Sequence, residues 1–187
     1  MRILGIDLSL TSPALCFFEG DEYNINGCTF YYLTKQKKLE GTFDSYGVRV
    51  RGDLFVDHEG NDILRYHAIS MWVNEWITVH SPEHIFLENY SYSSTGQVFN
   101  IAENTGILKY NLWKQSEKYT VIPPTVIKKM ATGKGNANKA LMEQSFLETT
   151  GFNIRELLQL SQSVSNPISD LIDAYYVGMA GIHYGKV

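Results

Sequence analysis

Two short apolar runs, "ILGID" and "IFLEN", each lead into a carboxylate, at Asp7 and at Glu88. Runs this brief and this apolar suit strands buried on both faces, the kind found inside a sheet covered by helices. Their shared ending puts two acids at the carboxyl ends of strands, the edge where open α/β sheets bind ligands. A chain with this pair of features has few architectures open to it.

The remaining segments narrow the choice. "ALCFFEG" and "CTFYYLT" are aromatic-rich and predict strands joined by the turn-like "DEYNING". Residues 35–62 are polar and punctuated by glycine, and within them "YGVRVRGDLFVDHEGND" alternates weakly, which predicts an extra hairpin. From Asp62 to Val79 the positions Ile63, Tyr66, Ile69, Val73 and Trp76 recur at helical spacing, and Pro82 marks the break. A helix is expected over 97–115, followed by the strand "YTVI", a helix starting at "PPTVIKKM", the loop "TGKGNAN" and a helix over 139–149. A strand meander followed by alternating helices and strands predicts an α/β chain with helices on the faces of a mixed sheet. Residues 1–187 are expected to form a single domain, with 35–62 as an insertion.

The last helix, "NPISDLIDAYYVGMAG", carries the other half of the puzzle. Ser165 or Asn166 can cap it, and Pro167 suits its first helical position. Ile168, Leu171, Ile172, Tyr175 and Met179 form one apolar stripe. Asp170 and Asp173 are neighbours on the other side, which should face solvent yet also carries Ala174, Val177, Ala180 and Gly181. Such small or apolar residues would let the helix lie close against the sheet edge, bringing Asp170 and Asp173 towards Asp7 and Glu88.

Four carboxylates gathered there would repel one another and be poorly solvated. A hard cation preferring oxygen ligands, Mg²⁺ or Mn²⁺, removes that difficulty. Taken singly, each acid is as well explained as a turn or cap residue, and the helical pair also complements the helix dipole. Taken together, the four point to a metal site. A histidine zinc site is the competing idea, but Pro82 lies between His80 and His84 and spoils a helical pair. All five histidines therefore read as surface or core residues.

The net charge of −4 argues against a nucleic-acid partner only on average. Residues 1–108 hold 7 basic and 14 acidic side chains, whereas 109–187 hold 9 basic and 6 acidic, so the second half is positive. Between Lys109 and Met142 lie Lys109, Lys114, Lys118, Lys128, Lys129, Lys134 and Lys139, against the single acid Glu117. That cluster is either a solvated face or a phosphate-binding surface. Cys16 and Cys28 match no metal-ligand spacing and make no disulfide framework. No run of about 18 apolar residues exists and the first residues make a poor signal peptide, so no membrane partner is expected and an intracellular, cytoplasmic protein is.

"ILGIDLSLTSPAL", "IFLENYSY", "VIKKMATGKGNANKALM" and "NPISDLIDAYYVG" together resemble the RuvC-type Holliday-junction resolvases, in a phage-like form. The resemblance implies an RNase H-like fold, a homodimer and a Mg²⁺-dependent endonuclease acting on branched DNA, four-way junctions above all, in a bacterial or phage-infected cell. On it, Asp7, Glu88, Asp170 and Asp173 match the catalytic, metal-binding acids. Lys139 matches a lysine used near the scissile phosphate, and Lys128 falls at a basic position after the last strand. The family places an aromatic wedge just after the strand glutamate, where this chain has Ser91, so Tyr90 or Tyr92 would have to substitute. The family's usual Pro-Gly after the first acid is replaced by "LSLTSPA", in which Ser9, Thr11 and Ser12 would make the turn.

The mechanism expected is hydrolysis with two Mg²⁺ ions about 4 Å apart, Mn²⁺ substituting. Lys139, helped by Lys134 or Lys128, would offset transition-state charge, and Lys128, Lys129, Lys134, Lys139, Tyr90 and Tyr92 would contact DNA. Phe99 is a further stacking candidate but reads better as core. The alternatives are an RNase H-like nuclease for flaps, forks or structured RNA, and a non-catalytic junction-binding protein. An actin-like or sugar-kinase ATPase lobe also begins with a strand-end acid, but the chain is too short for two lobes.

Overall fold

Strand β1 (Arg2–Asp7) alternates between two apolar environments, and this alternation organises the molecule. Leu4 and Ile6 join the core on one side of the sheet, while Ile3 joins the core on the other. The computed structural model describes residues 1–56, 58, 60–90 and 97–185. Within them β2 (Ala14–Glu19) and β3 (Cys28–Thr34) continue β1 as an antiparallel meander. β6 (His84–Glu88) and β7 (Tyr119–Ile122) add on the opposite flank of β1, both parallel. β4 (Gly41–Ser45) and β5 (Val48–Leu54) complete a seven-stranded mixed sheet in the order β4-β5-β3-β2-β1-β6-β7.

The extra hairpin exists, but its position differs from the expected one. It turns at Tyr46 and Gly47, both at positive φ (49° and 83°), so "VRVRGDL" is only its second strand. Two consecutive residues at positive φ are the tight turn whose twist matches a hairpin. The first strand, "GTFDS", is too polar and exposed to show a strand pattern. The hairpin joins the sheet through β5, which pairs parallel with β3.

Helices α1 (Asp62–His80) and α2 (Val98–Lys114) cover one face of the sheet. Tyr66, Ile69, Val73 and Trp76 are buried as their spacing predicts, but Ile63 is exposed in the first turn. Phe99, expected in the core, is 80% exposed. The reason is that α2 meets α1 largely through polar groups. Asn100 donates to Asp62 (3.2 Å) and to the Tyr66 hydroxyl (2.9 Å), and Asn111 donates to Ser70 (2.8 Å). Asn104 and Thr105 are buried on α2, so its aromatic residues are turned outward.

The other face is built around α6 (Ile168–Gly185), with α3 (Pro124–Thr132), α4 (Lys139–Thr150) and the short α5 (Ile154–Leu157) packed outside it. α6 begins one residue later than expected. Pro167 precedes it and its carbonyl accepts from the Leu171 amide (2.9 Å), as an N-cap carbonyl does. No solvated face exists on the first part of this helix, since Asp170, Leu171, Ile172, Ala174, Tyr175, Tyr176 and Val177 are all buried. A helix apolar on nearly every side belongs inside a protein.

The stretch 151–165, patternless in sequence, is ordered by a side chain. The buried Arg155 grips Glu143 with two nitrogens (2.7 and 2.8 Å) and donates to the carbonyls of Ser161 (2.5 Å) and Val164 (2.7 Å). This fixes the approach to α6. Cys16 and Cys28 are free and buried on the α6 side. Among the described residues no helix is long and apolar enough to cross a membrane.

Candidate active site

Strand register brings the first two acids together. β1 pairs parallel with β6 so that Ile6 lies beside Leu87, which makes Asp7 and Glu88 the next neighbours along the two strands. Strand side chains alternate, so both carboxylates share the face of Ile3 and Phe86, the side on which α6 packs. α6 can reach them because the sheet and helix meet through glycine. A Cβ on Gly5 would collide with the Ala174 carbonyl and the Gly178 backbone, and one on Gly181 would collide with the Phe86 ring. This close approach delivers Asp173. Carboxylate oxygens of Asp7, Glu88 and Asp173 all lie within 4.8 Å of one another.

Asp170, one turn earlier on α6, lines the same cleft but stands outside that trio. It accepts a hydrogen bond from the Ser12 hydroxyl. Ser12 itself belongs to a turn closed by Ser9, whose hydroxyl accepts from the amides of Thr11 (3.3 Å) and Ser12 (3.1 Å). The serine-rich substitute for Pro-Gly thus both turns the chain and holds an acid. Its first role was visible in the sequence as turn chemistry. Its second depended on which helix lay opposite.

The surrounding cleft, of about 570 Å³, is lined on its walls by Lys128, Lys139, Tyr90, Gln97, Ile101 and Thr105. Lys139 opens α4, and its ammonium donates to Ser169 (3.1 Å), Ser165 (3.4 Å) and Asn166 (3.4 Å) at the start of α6. Those three acceptors escaped the sequence reading, in which Ser165 and Asn166 figured only as helix caps. Lys129 and Lys134 are exposed and do not line the cleft. Tyr92 and Ser91 lie outside the described residues. Of the histidines, His80 stacks on Phe17 (4.0 Å between centroids) and hydrogen-bonds the Tyr31 hydroxyl (2.6 Å).

Burial and like charge raise every acid of the group. Burial, then the charges of Glu88, Asp170 and Asp173, push Asp7 well above the usual carboxylate range, and Lys139 offsets part of this. Burial and then Asp173 lift Glu88 to about 8, against the pull of Lys128. Burial and then Asp170 lift Asp173 to about 7. Burial also raises Asp170 to about 6, opposed first by the Ser12 hydroxyl and then by Lys139. A cluster so reluctant to ionise is one that a hard divalent cation on oxygen ligands would stabilise.

A pH dependence follows. Each folded-state pKa lies above its unfolded value, so the folded chain holds protons that the unfolded chain releases. The resulting stability is complete below about pH 4 and lost as pH rises through about 6, 7 and 8. In chelator, melting temperature is expected to fall from pH 5 to pH 9, and less so in Glu88→Gln. Added Mg²⁺ should raise it more at pH 8.5 than at pH 5.5, because metal ligands must be deprotonated. Calorimetry at both pH values checks this, and equal Mg²⁺ effects would count against the site.

Several known structures share this fold. RuvC of T. thermophilus in complex with a Holliday junction substrate superposes with a TM-score of 0.64 at 16% identity, covering 100% of this chain and 95% of that one. The yeast mitochondrial Holliday junction resolvase gives 0.56 at 15% identity, covering 99% and 79%. The fowlpox virus resolvase bound to Holliday junction DNA gives 0.52 at 15% identity, covering 98% of each chain. No protein of curated function is significantly similar in sequence. The family model described as crossover junction endodeoxyribonuclease RuvC matches residues 50–180, which include Glu88, Lys128, Lys139, Asp170 and Asp173. Asp7 lies before the matched stretch and is joined to it by the β1–β6 pairing. With more than half its length matched, and with the same α/β architecture of a mixed sheet flanked by helices, the chain belongs to the RuvC family.

Proposed function

We propose that the protein is a divalent-metal-dependent endonuclease that cuts four-way DNA junctions and related branched DNA by phosphodiester hydrolysis. The observation that carries this reading is the meeting of Asp7, Glu88 and Asp173 in one cleft of a RuvC-family chain. Their all-oxygen donor set fits Mg²⁺, with Mn²⁺ able to substitute, and Asp170 beside them supports a site for two ions. When bound, such ions supply an activated water and offset charge on the leaving 3′ oxygen.

The chain's own side chains do the rest. The two strands and α6 hold the half-buried carboxylates together before substrate arrives. Lys139, held at its ammonium by three oxygen acceptors, presents positive charge to the transferring phosphate. Lys128 does the same from α3. Lys129 and Lys134 would contact the DNA backbone outside the cleft, and Tyr90, on the cleft wall, would stack on an unpaired base at the branch point. The T. thermophilus and fowlpox structures hold Holliday junction DNA, which supports a four-way junction as substrate here. Such a junction is two-fold symmetric, and a homodimer would set one cleft against each of two strands. The substrate would be met inside a bacterial or phage-infected cell.

The test is a panel of a four-way junction, a fork, a flap and a linear duplex, with strands of equal length. Paired, Mg²⁺-dependent nicks in the junction, leaving 5′-phosphate ends that ligase can seal, are expected. Cutting in chelator would refute the metal site. Equal cutting of the whole panel would refute the junction selectivity, and tight junction binding without turnover would identify a non-catalytic binder.

A further inference from the structure

The turn that follows β3 carries a second basic surface, on the same edge of the sheet as the acids. It reads "KQKKL", with Lys35, Lys37 and Lys38 in four residues and no acid among them. Residues 35–38 are all exposed, whereas Leu39 is buried in the core on the α6 side. Leu39 fixes the turn in place. Its carbonyl accepts from the buried Tyr32 hydroxyl (2.7 Å), and it lies where a Cβ on Gly52 of β5 would strike it. The Gln36 amide donates to the Thr34 hydroxyl (3.1 Å), and the Leu39 amide donates to the Gln36 carbonyl (2.9 Å). The three lysines thus extend from a backbone pinned at both ends.

Strand register sets the turn relative to the cleft. Asp7 pairs with Ala14 of β2, and Ala14 pairs with Tyr32 of β3, so Tyr32 stands level with Asp7. β3 is two strands from β1 and runs in the same direction, a lateral distance of about 10 Å. Lys35 lies three residues further along, about 10 Å beyond that level. Together these put the turn on the order of 14 Å from Asp7. Ser9, Leu10 and Thr11, which line the cleft, belong to the segment leading into the intervening strand β2. On the other flank of Asp7, beyond β6 and β7, α3 carries Lys128. Basic groups therefore bracket the acids along one edge.

We infer that the 35–38 turn is a second phosphate-binding surface, which seats a duplex arm of the substrate as it leaves the cleft. The inference rests on the proposed function for the identity of the polyanion. The turn itself lies outside the stretch matched to the family, 50–180. Along one DNA strand, 14 Å corresponds to about four base pairs, so the turn meets phosphates about that far from the cut. Neighbouring acids leave the lysines available. Asp53 at the end of β5 is held by Arg51 (2.9 Å) and by the Trp72 indole (3.0 Å). Lys37 pairs with Glu40, but an ion pair this exposed is weak and yields to a phosphate. Lysine meets phosphate as a point charge, so the turn adds affinity without sequence preference.

Junction binding in chelator, measured over a series of salt concentrations, tests the inference. Lys35→Gln, Lys37→Gln and Lys38→Gln combined should weaken binding at least about tenfold at roughly 0.1 M salt. The slope of log K against log salt should fall by about 2–3, since each lost phosphate contact removes about 0.9. Melting temperature should stay parental, because all three side chains are exposed. Arginine at the same three positions should restore both affinity and slope. Neutral methylphosphonates within about six base pairs of the branch point should weaken the parent and leave the glutamine variant unaffected. An unchanged slope, a loss that arginine does not restore, or methylphosphonates that weaken both proteins equally would each overturn the inference. A glutamine variant that binds junctions like the parent but no longer retains polyglutamate would overturn it in favour of an acidic protein partner. A parent that cuts junctions with no dependence on the turn refutes the turn alone. A parent whose binding depends on the turn but that never cuts in Mg²⁺ upholds the turn and refutes the nuclease reading.

Discussion

Asp7→Asn is expected to reduce junction cleavage by about 10²–10³-fold or more, the scale on which a single preorganised electrostatic partner acts. Asparagine keeps the shape of the side chain and loses its charge, so the cleft should remain formed and junction DNA should still bind. The same substitution should raise the melting temperature in chelator. Asp7 is half-buried beside Glu88, Asp170 and Asp173, and its ionisation is resisted by desolvation first and by those charges second. Removing one charge from that group relieves the other three. A gain in metal-free stability with a loss of turnover is the signature of a residue strained for function. Single-turnover cleavage and calorimetry on one preparation measure both effects. Cleavage equal to the parent would remove Asp7 from the mechanism, whatever happened to the melting temperature.

Gly5→Val should be the most damaging substitution to the fold. The atoms its side chain would strike, the Ala174 carbonyl and the Gly178 backbone, belong to the main chain of α6 and cannot rotate aside. Overpacking of this kind costs about 3 kcal/mol or more when the obstacle is rigid. Gly5 lies two residues before Asp7, and α6 carries Asp170 and Asp173, so any outward shift of the helix also opens the acid cluster. Denaturant titration is expected to show a much lower midpoint, with cleavage lost even in the fraction that folds. A variant with the parental midpoint would mean that helix and strand are not held at that contact.

How much of this was legible beforehand follows the range of each interaction. Asp7 and Glu88 could be placed because a strand's alternation and its last residue are local properties, and the β1–β6 register then set them side by side. The pair on α6 could be placed from small residues at helical spacing. What escaped depends on partners distant in sequence. Ser12 holds Asp170 across 158 positions, and no pattern near either residue announces it. Phe99 misled for a related reason. An aromatic residue on a helix normally turns inward, but Asn100 and Asn111 find hydrogen-bond partners on α1 and take the inner side. Lys139 was placed through the resemblance, but the three oxygens that hold it needed the fold.

One consequence of the buried α6 concerns the order in which the protein is made. All seven strands precede this helix in the sequence, so during translation the whole sheet leaves the ribosome before its central support does. Until α6 arrives, one face of that sheet has no cover and two of the four acids are missing. Completion of the core and completion of the acid cluster are therefore the same event. A chain cut short before α6 would lack the centre of one core and two of the four acids together.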